Sequence, residues 1–140
     1  MDKKNFNQYY QEYLEVILRI IKEKEHKDAF INNIEIATAL KVKPPSVTEF
    51  LVKLEKEGLI EYKKRLGVRL TPKGLGLATK VLEMHHLLES FFTKVLELDD
   101  KDLKHRLACA IEHDLISEPR LVKALEKSIE KVEAASPNRS

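Results

Sequence analysis

The sequence predicts a mainly α protein: a winged helix-turn-helix domain with a small β-hairpin wing at residues 1–72, followed by an all-helical domain at 73–140. Three observations predict it. Apolar residues recur at steps of three and four through most of the chain, the mark of amphipathic helices. One short segment, 59–71, alternates instead around a glycine-bearing turn, as a hairpin does. Four of the five histidines and the single cysteine fall between 85 and 113, which sets the second half apart chemically.

In the first helix, 9–21, Tyr10, Tyr13, Leu14, Ile17, Leu18 and Ile21 share a face. A polar stretch, 22–28, precedes a short second helix at 34–40, for which Asn32 or Asn33 is a cap. Pro44 and Pro45 stop that helix and suit the first turn of a third at 45–57, which carries Val47, Phe50, Leu51 and Leu54 on one side. Gly58 is placed to end it. Two helices joined so tightly have helix-turn-helix spacing. Leu59 to Tyr62 and Val68 to Thr71 then read as the strands of a hairpin with Lys63, Lys64, Arg65, Leu66 and Gly67 between them. Thr71-Pro72-Lys73-Gly74 opens a long fourth helix to about 96. The carboxylates at Asp99, Asp100 and Asp102 suit the start of a fifth that runs to about 115. A sixth spans about 117–133, and the tail 136–140 is read as loose.

The formal net charge is only +2, yet residues 41–80 hold ten Lys and Arg against four Glu. A basic block of this kind is the electrostatic footprint of a surface that meets phosphates. The third helix can enter the roughly 12 Å wide major groove of double-stranded DNA, while the hairpin grips phosphates. The residues expected to face DNA are Lys43 just before that helix, Pro45, Ser46, Thr48, Glu49 and Lys53 on it, and Lys63, Lys64 and Arg65 on the wing.

On the fifth helix His105, Cys109, Glu112 and His113 fall within an arc of roughly 100°. Leu103, Leu107, Ile111 and Leu115 project elsewhere, so the ligand stripe is expected to stand apart from the core-packing stripe. On the fourth helix His85 and Glu89 are one turn apart, with His86 and Glu83 nearby; on the first, Glu12 and Glu15 are one turn apart. Mixed imidazole, thiolate and carboxylate ligands suit a first-row divalent transition ion better than calcium or magnesium.

With these residues in place, the sequence resembles the diphtheria-toxin-repressor family of iron- and manganese-dependent regulators over about 9–134, in the two-domain form without the SH3-like domain. The matching segments are Glu12-Tyr13-Leu14-Glu15, Pro45-Ser46-Val47-Thr48, Leu70-Thr71-Pro72-Lys73-Gly74, His85-His86-Leu87-Leu88-Glu89 and Cys109-Ala110-Ile111-Glu112-His113. The resemblance implies a homodimer whose helical domain dimerises and binds metal. It implies a regulatory site from Glu12, Cys109, Glu112 and His113, with Glu15 as a further candidate, and an ancillary site from His85, Glu89 and His105. The implied activator is Fe²⁺ or Mn²⁺, for which Zn²⁺, Co²⁺ or Ni²⁺ can substitute, and the implied action is repression of metal-uptake genes. Glu12 stands where the iron branch has methionine, Glu15 matches a carboxylate of the manganese branch, and Cys109 follows the iron branch. Glu49 replaces a glutamine of the iron branch.

Other functions are disfavoured. No nucleophilic triad, phosphate-cradling loop or His-Glu-x-x-His motif points to an enzyme or a small organic substrate. No apolar run reaches the roughly 18 residues of a membrane span. The first residues lack a signal-peptide pattern and one cysteine cannot form an internal disulfide, so a cytoplasmic protein is expected. A redox sensor working through Cys109 and a metal-buffering or metalloenzyme protein are the rival readings.

Overall fold

The computed structural model describes residues 6–24 and 30–135; part of the polar stretch 22–28 and the tail 136–140 lie outside the described residues. The elements are α1 (Phe6–Glu23), α2 (Asn33–Leu40), α3 (Pro44–Lys56), β1 (Ile60–Lys63), β2 (Gly67–Leu70), α4 (Pro72–Lys94), α5 (Lys101–Ile116) and α6 (Pro119–Ala135). The chain divides into two compact units, Met1–Thr79 and Lys80–Ser140, with α4 running through the division.

In the first unit α1 buries Tyr13, Leu14, Ile17, Leu18 and Ile21, the face its periodicity predicts. Asn32 caps α2, its side chain accepting from the Ile34 N–H at 2.7 Å. Pro44 and Pro45 open α3, where their missing N–H groups cost nothing. Val47, Leu51 and Leu54 of α3 join Ile36, Ile60 and Val68 in the core. Gly58 follows α3 at φ 74°, and β1 and β2 form an antiparallel pair with Ile60 opposite Leu70 and Lys63 opposite Gly67.

Ile31, left outside every element by the sequence pattern, exchanges two backbone hydrogen bonds with Val68, at 2.6 and 2.9 Å. One paired residue is too short to leave a period of two. The fourth helix begins as a latch on the turn after α3. Thr71 Oγ1 accepts from the Gly74 N–H at 3.1 Å and donates to the Gly58 carbonyl at 2.7 Å. A Cβ at Gly74 would lie 1.9 Å from the Leu59 carbonyl oxygen, so only glycine permits this approach.

The second unit packs Leu88 and Phe92 of α4 with Ala108 and Leu115 of α5 and Leu125 of α6. Asp100 caps α5 by accepting from the Leu103 N–H at 3.0 Å. Pro119 occupies the first position of α6.

Candidate metal centre and nucleic-acid interface

Two helices of the second unit bring the donor side chains together. His85 and Glu112 are each 1% exposed, as buried as the hydrophobic core, and His85 Nδ1 lies 2.6 Å from Glu112 Oε1. The other ring nitrogen, Nε2, lies 3.2 Å from Glu89 Oε2, and His105 Nδ1 stands 3.7 Å from the same oxygen. Cys109 Sγ is 3.8 Å from His85 Nδ1 and 3.6 Å from His105 Nε2. His113 Nε2 lies 3.6 Å from Glu112 Oε2.

These distances fit a metal. One donor atom each from His85, His105 and Cys109 lies within 4.8 Å of the others. Ligands held at about 2.0–2.3 Å by one ion stand at most about 4.6 Å apart, so small side-chain rotations suffice. Sulfur, nitrogen and carboxylate oxygen within one small volume suit a transition ion rather than an alkaline-earth ion.

The expectation that the ligand stripe of α5 stands apart from its core stripe is corrected here. Ala108, Glu112 and Leu115 are all buried, and their spacing of four and three makes them one face. Glu112 therefore belongs to the core stripe, whereas His105 keeps half of its side chain exposed. The residues assigned to two sets also run together: His85, placed with Glu89 and His105, faces Glu112 and Cys109 as well.

In the first unit Glu15 is buried beside Arg19, with 3.4 Å between carboxylate and guanidinium. Glu12 is half-buried and lines an open hollow with Tyr9, Tyr13, Ser46, Phe50 and Lys53. Burial raises the Tyr13 phenol above its ordinary value, and the charge of Glu12 adds to the rise. Tyr13 stacks on Phe50 of α3 at a centroid distance of 4.4 Å.

Lys43, which precedes α3, and Pro45, Ser46, Glu49 and Lys53 on α3 are exposed. Thr48 is half-buried and its hydroxyl works inward, donating to the Pro44 carbonyl at 3.3 Å and accepting from Asn33 Nδ2 at 2.9 Å. The same nitrogen donates to the Tyr62 hydroxyl at 3.3 Å, and the Tyr62 N–H donates to Glu55 at 2.9 Å. Lys63, Lys64 and Arg65 are exposed at the end of the hairpin, with Lys63 Nζ 5.8 Å from the centre of the Phe30 ring. Across the hairpin Arg69 donates to Glu61 at 2.7 Å and holds that carboxyl below the usual range.

Residues 5–68 match the family described as iron dependent repressor, N-terminal DNA binding domain, and residues 71–137 match iron dependent repressor, metal binding and dimerisation domain. The chain belongs to the iron dependent repressor family. An uncharacterized HTH-type transcriptional regulator of Methanocaldococcus jannaschii is 36% identical over 128 residues, 90% of this chain and 99% of its own length. The HTH-type transcriptional regulator MntR of Listeria welshimeri is 36% identical over 105 residues, 75% of this chain and 70% of its own length. Among solved structures, a manganese-dependent transcriptional repressor in complex with manganese shares 26% identity and a TM-score of 0.70 over 86% of this chain. The match covers 52% of that structure, so the chain spans about half its length.

The iron dependent repressors are transcriptional regulators and not enzymes. His85, Glu89, His105, Cys109, Glu112 and His113 all fall in the part of the chain that matches the family's metal-binding domain, and Glu12 and Glu15 in the part that matches its DNA-binding domain. Among the described residues no helix is long and apolar enough to cross a membrane. Sequence reasoning missed Asn33, Glu55 and Tyr62, which join α2, α3 and β1. The sequence marks Asn33 only as a cap candidate, and partners 15 and 29 residues away leave no local pattern.

Proposed function

We propose that this chain is a metal-activated, DNA-binding transcriptional regulator, and that it represses genes of metal uptake in the cytoplasm. The observation that carries the reading is the convergence of His85, His105, Cys109 and Glu112 within the segment matching a metal-binding domain. We assign Cys109, Glu112 and His113, with Glu12, to the regulatory site and Glu15 as an additional carboxylate. His85, Glu89 and His105 are assigned to the ancillary site. Fe²⁺ or Mn²⁺ is the activator, and Zn²⁺, Co²⁺ or Ni²⁺ can take its place.

The metal supplies a divalent charge that draws imidazole, thiolate and carboxylate together. The chain's own residues do the rest. Glu12 lines the same hollow as Ser46, Phe50 and Lys53 of α3, so a constraint on its carboxylate bears on the helix that carries the DNA-facing residues. A dimer presents two such helices about 34–36 Å apart, or a multiple of that, to match successive turns of the operator. Favouring the DNA-competent arrangement by about 1 to 3 kcal/mol makes a useful switch.

The test is selection from a pool of random DNA duplexes, run in parallel with chelator, Fe²⁺ and Mn²⁺. Retention of a distinct sequence with one of the ions and not with chelator is expected. Equal retention in all three conditions overturns metal activation, and retention in none overturns DNA binding.

A further inference from the structure

Leu66 is 57% exposed at the end of the hairpin. A lone surface leucine needs no explanation, but three features distinguish this one. The first is that its backbone is pinned. The Leu66 N–H donates to the Lys63 carbonyl at 3.0 Å, and the next residue, Gly67, has φ 105°. A Cβ there would lie 2.0 Å from the Ile31 carbonyl oxygen. Val68 is then tied to Ile31 by two backbone hydrogen bonds. The second feature is that the hairpin is joined to α3, through the Tyr62 N–H to Glu55 and through Asn33 to both Tyr62 and Thr48. The end of the hairpin is thus presented in a set position relative to the helix. The third is its company. Lys64 and Arg65 precede it directly and are exposed, so whatever attracts these cations also receives the leucine.

We infer, on the DNA-binding reading above, that Leu66 is a minor-groove wedge. With α3 seated in the major groove, a hairpin held beside it meets the phosphate ridge and the minor groove next to it. Lys64 and Arg65 pair with phosphates on the ridge, and the isobutyl group between them and Gly67 has only the groove to enter. An apolar side chain pushed against a base step partly unstacks it. Steps differ in how readily they open: pyrimidine–purine steps yield easily, whereas A-tracts are stiff. Leu66 therefore selects operator flanks by deformability, at positions where no side chain hydrogen-bonds to a base.

The test uses the full chain with its activating ion and the duplex pool described above. Wild type retains duplexes enriched in pyrimidine–purine steps at a fixed distance from the bases α3 reads. With Leu66→Ala that enrichment disappears and affinity for the selected duplex falls about tenfold, while Leu66→Met keeps both. The salt dependence of Leu66→Ala equals that of wild type, whereas Arg65→Ala lowers the slope by about 0.9 and keeps the flank preference. A fluorescent adenine analogue at the flanking step brightens on binding of wild type and stays dark with Leu66→Ala. An unchanged flank in Leu66→Ala, an equal loss of affinity on every duplex, or a change of oligomeric state without DNA overturns the wedge. Only failure of wild type to retain any duplex overturns the DNA-binding reading as well.

Discussion

Glu112 lies against a buried imidazole and, on the proposed reading, also offers oxygen to an ion, two tasks that pull against each other. The tasks separate by substitution. Glu112→Leu removes the carboxylate that lies 2.6 Å from His85 Nδ1 in a 1% exposed site, and a loss of about 1–3 kcal/mol is expected in urea unfolding without metal. Glu112→Gln keeps an acceptor and the volume, so the fold survives. Its affinity for Mn²⁺ by calorimetry is expected to fall by at least the about 10–100-fold that a lost outer partner costs. Equal affinity in Glu112→Gln removes this residue from the site. Much of this was legible in advance at the level of spacing: His85 and Glu89 are one turn apart, and His105, Cys109 and His113 stand on successive turns. The contact between His85 and Glu112 was not, because it joins residues 27 apart. It depends on how far each helix is rotated about its axis, which packing of Ala108, Leu115 and Leu88 decides.

At the scale of elements, the two glycines that open α4 make opposite predictions. Gly74→Ala forces a methyl against the Leu59 carbonyl and is expected to cost about 1–3 kcal/mol. Gly76→Ala meets nothing within 4 Å and, as an ordinary helix substitution, should stabilise by about 0.5–1 kcal/mol in the same denaturation experiment. Equal effects would mean the latch is not tight. The hairpin makes a prediction about pH. The Glu61 carboxyl is held low by its hydrogen bond from Arg69, so the pair contributes above the ordinary carboxylate range and fades as pH falls through the lowered value. Carboxyl-resolved NMR titration should show the Glu61 midpoint below that range, and Arg69→Gln should return it upward. The helix and hairpin order followed from apolar periodicity, and cap chemistry located the ends: Asn32 and Asp100 cap α2 and α5, and Pro44 and Pro72 open α3 and α4. The Ile31 bridge to Val68 escaped because it is a tertiary event one residue long.

For the molecule as a whole, an ion that binds only the folded chain must stabilise it. At about a hundredfold excess over its dissociation constant the gain is about 2.7 kcal/mol. Calorimetric melting should therefore move upward with Mn²⁺, return with chelator, and move by less in Glu112→Gln at the same ion concentration. Helix content by circular dichroism should hardly change between the two conditions. That last expectation comes from the His85–Glu112 contact, in which each buried group already has a partner before any ion arrives. Many small metal domains are unfolded until they are loaded. On the proposed reading, a chain whose buried His85 and Glu112 already satisfy one another is expected to stay folded when metal is scarce, instead of being handed to proteases. Its reply to returning metal is then paced by ligand exchange rather than by refolding or fresh synthesis, and the same molecules can serve through many cycles of scarcity and plenty.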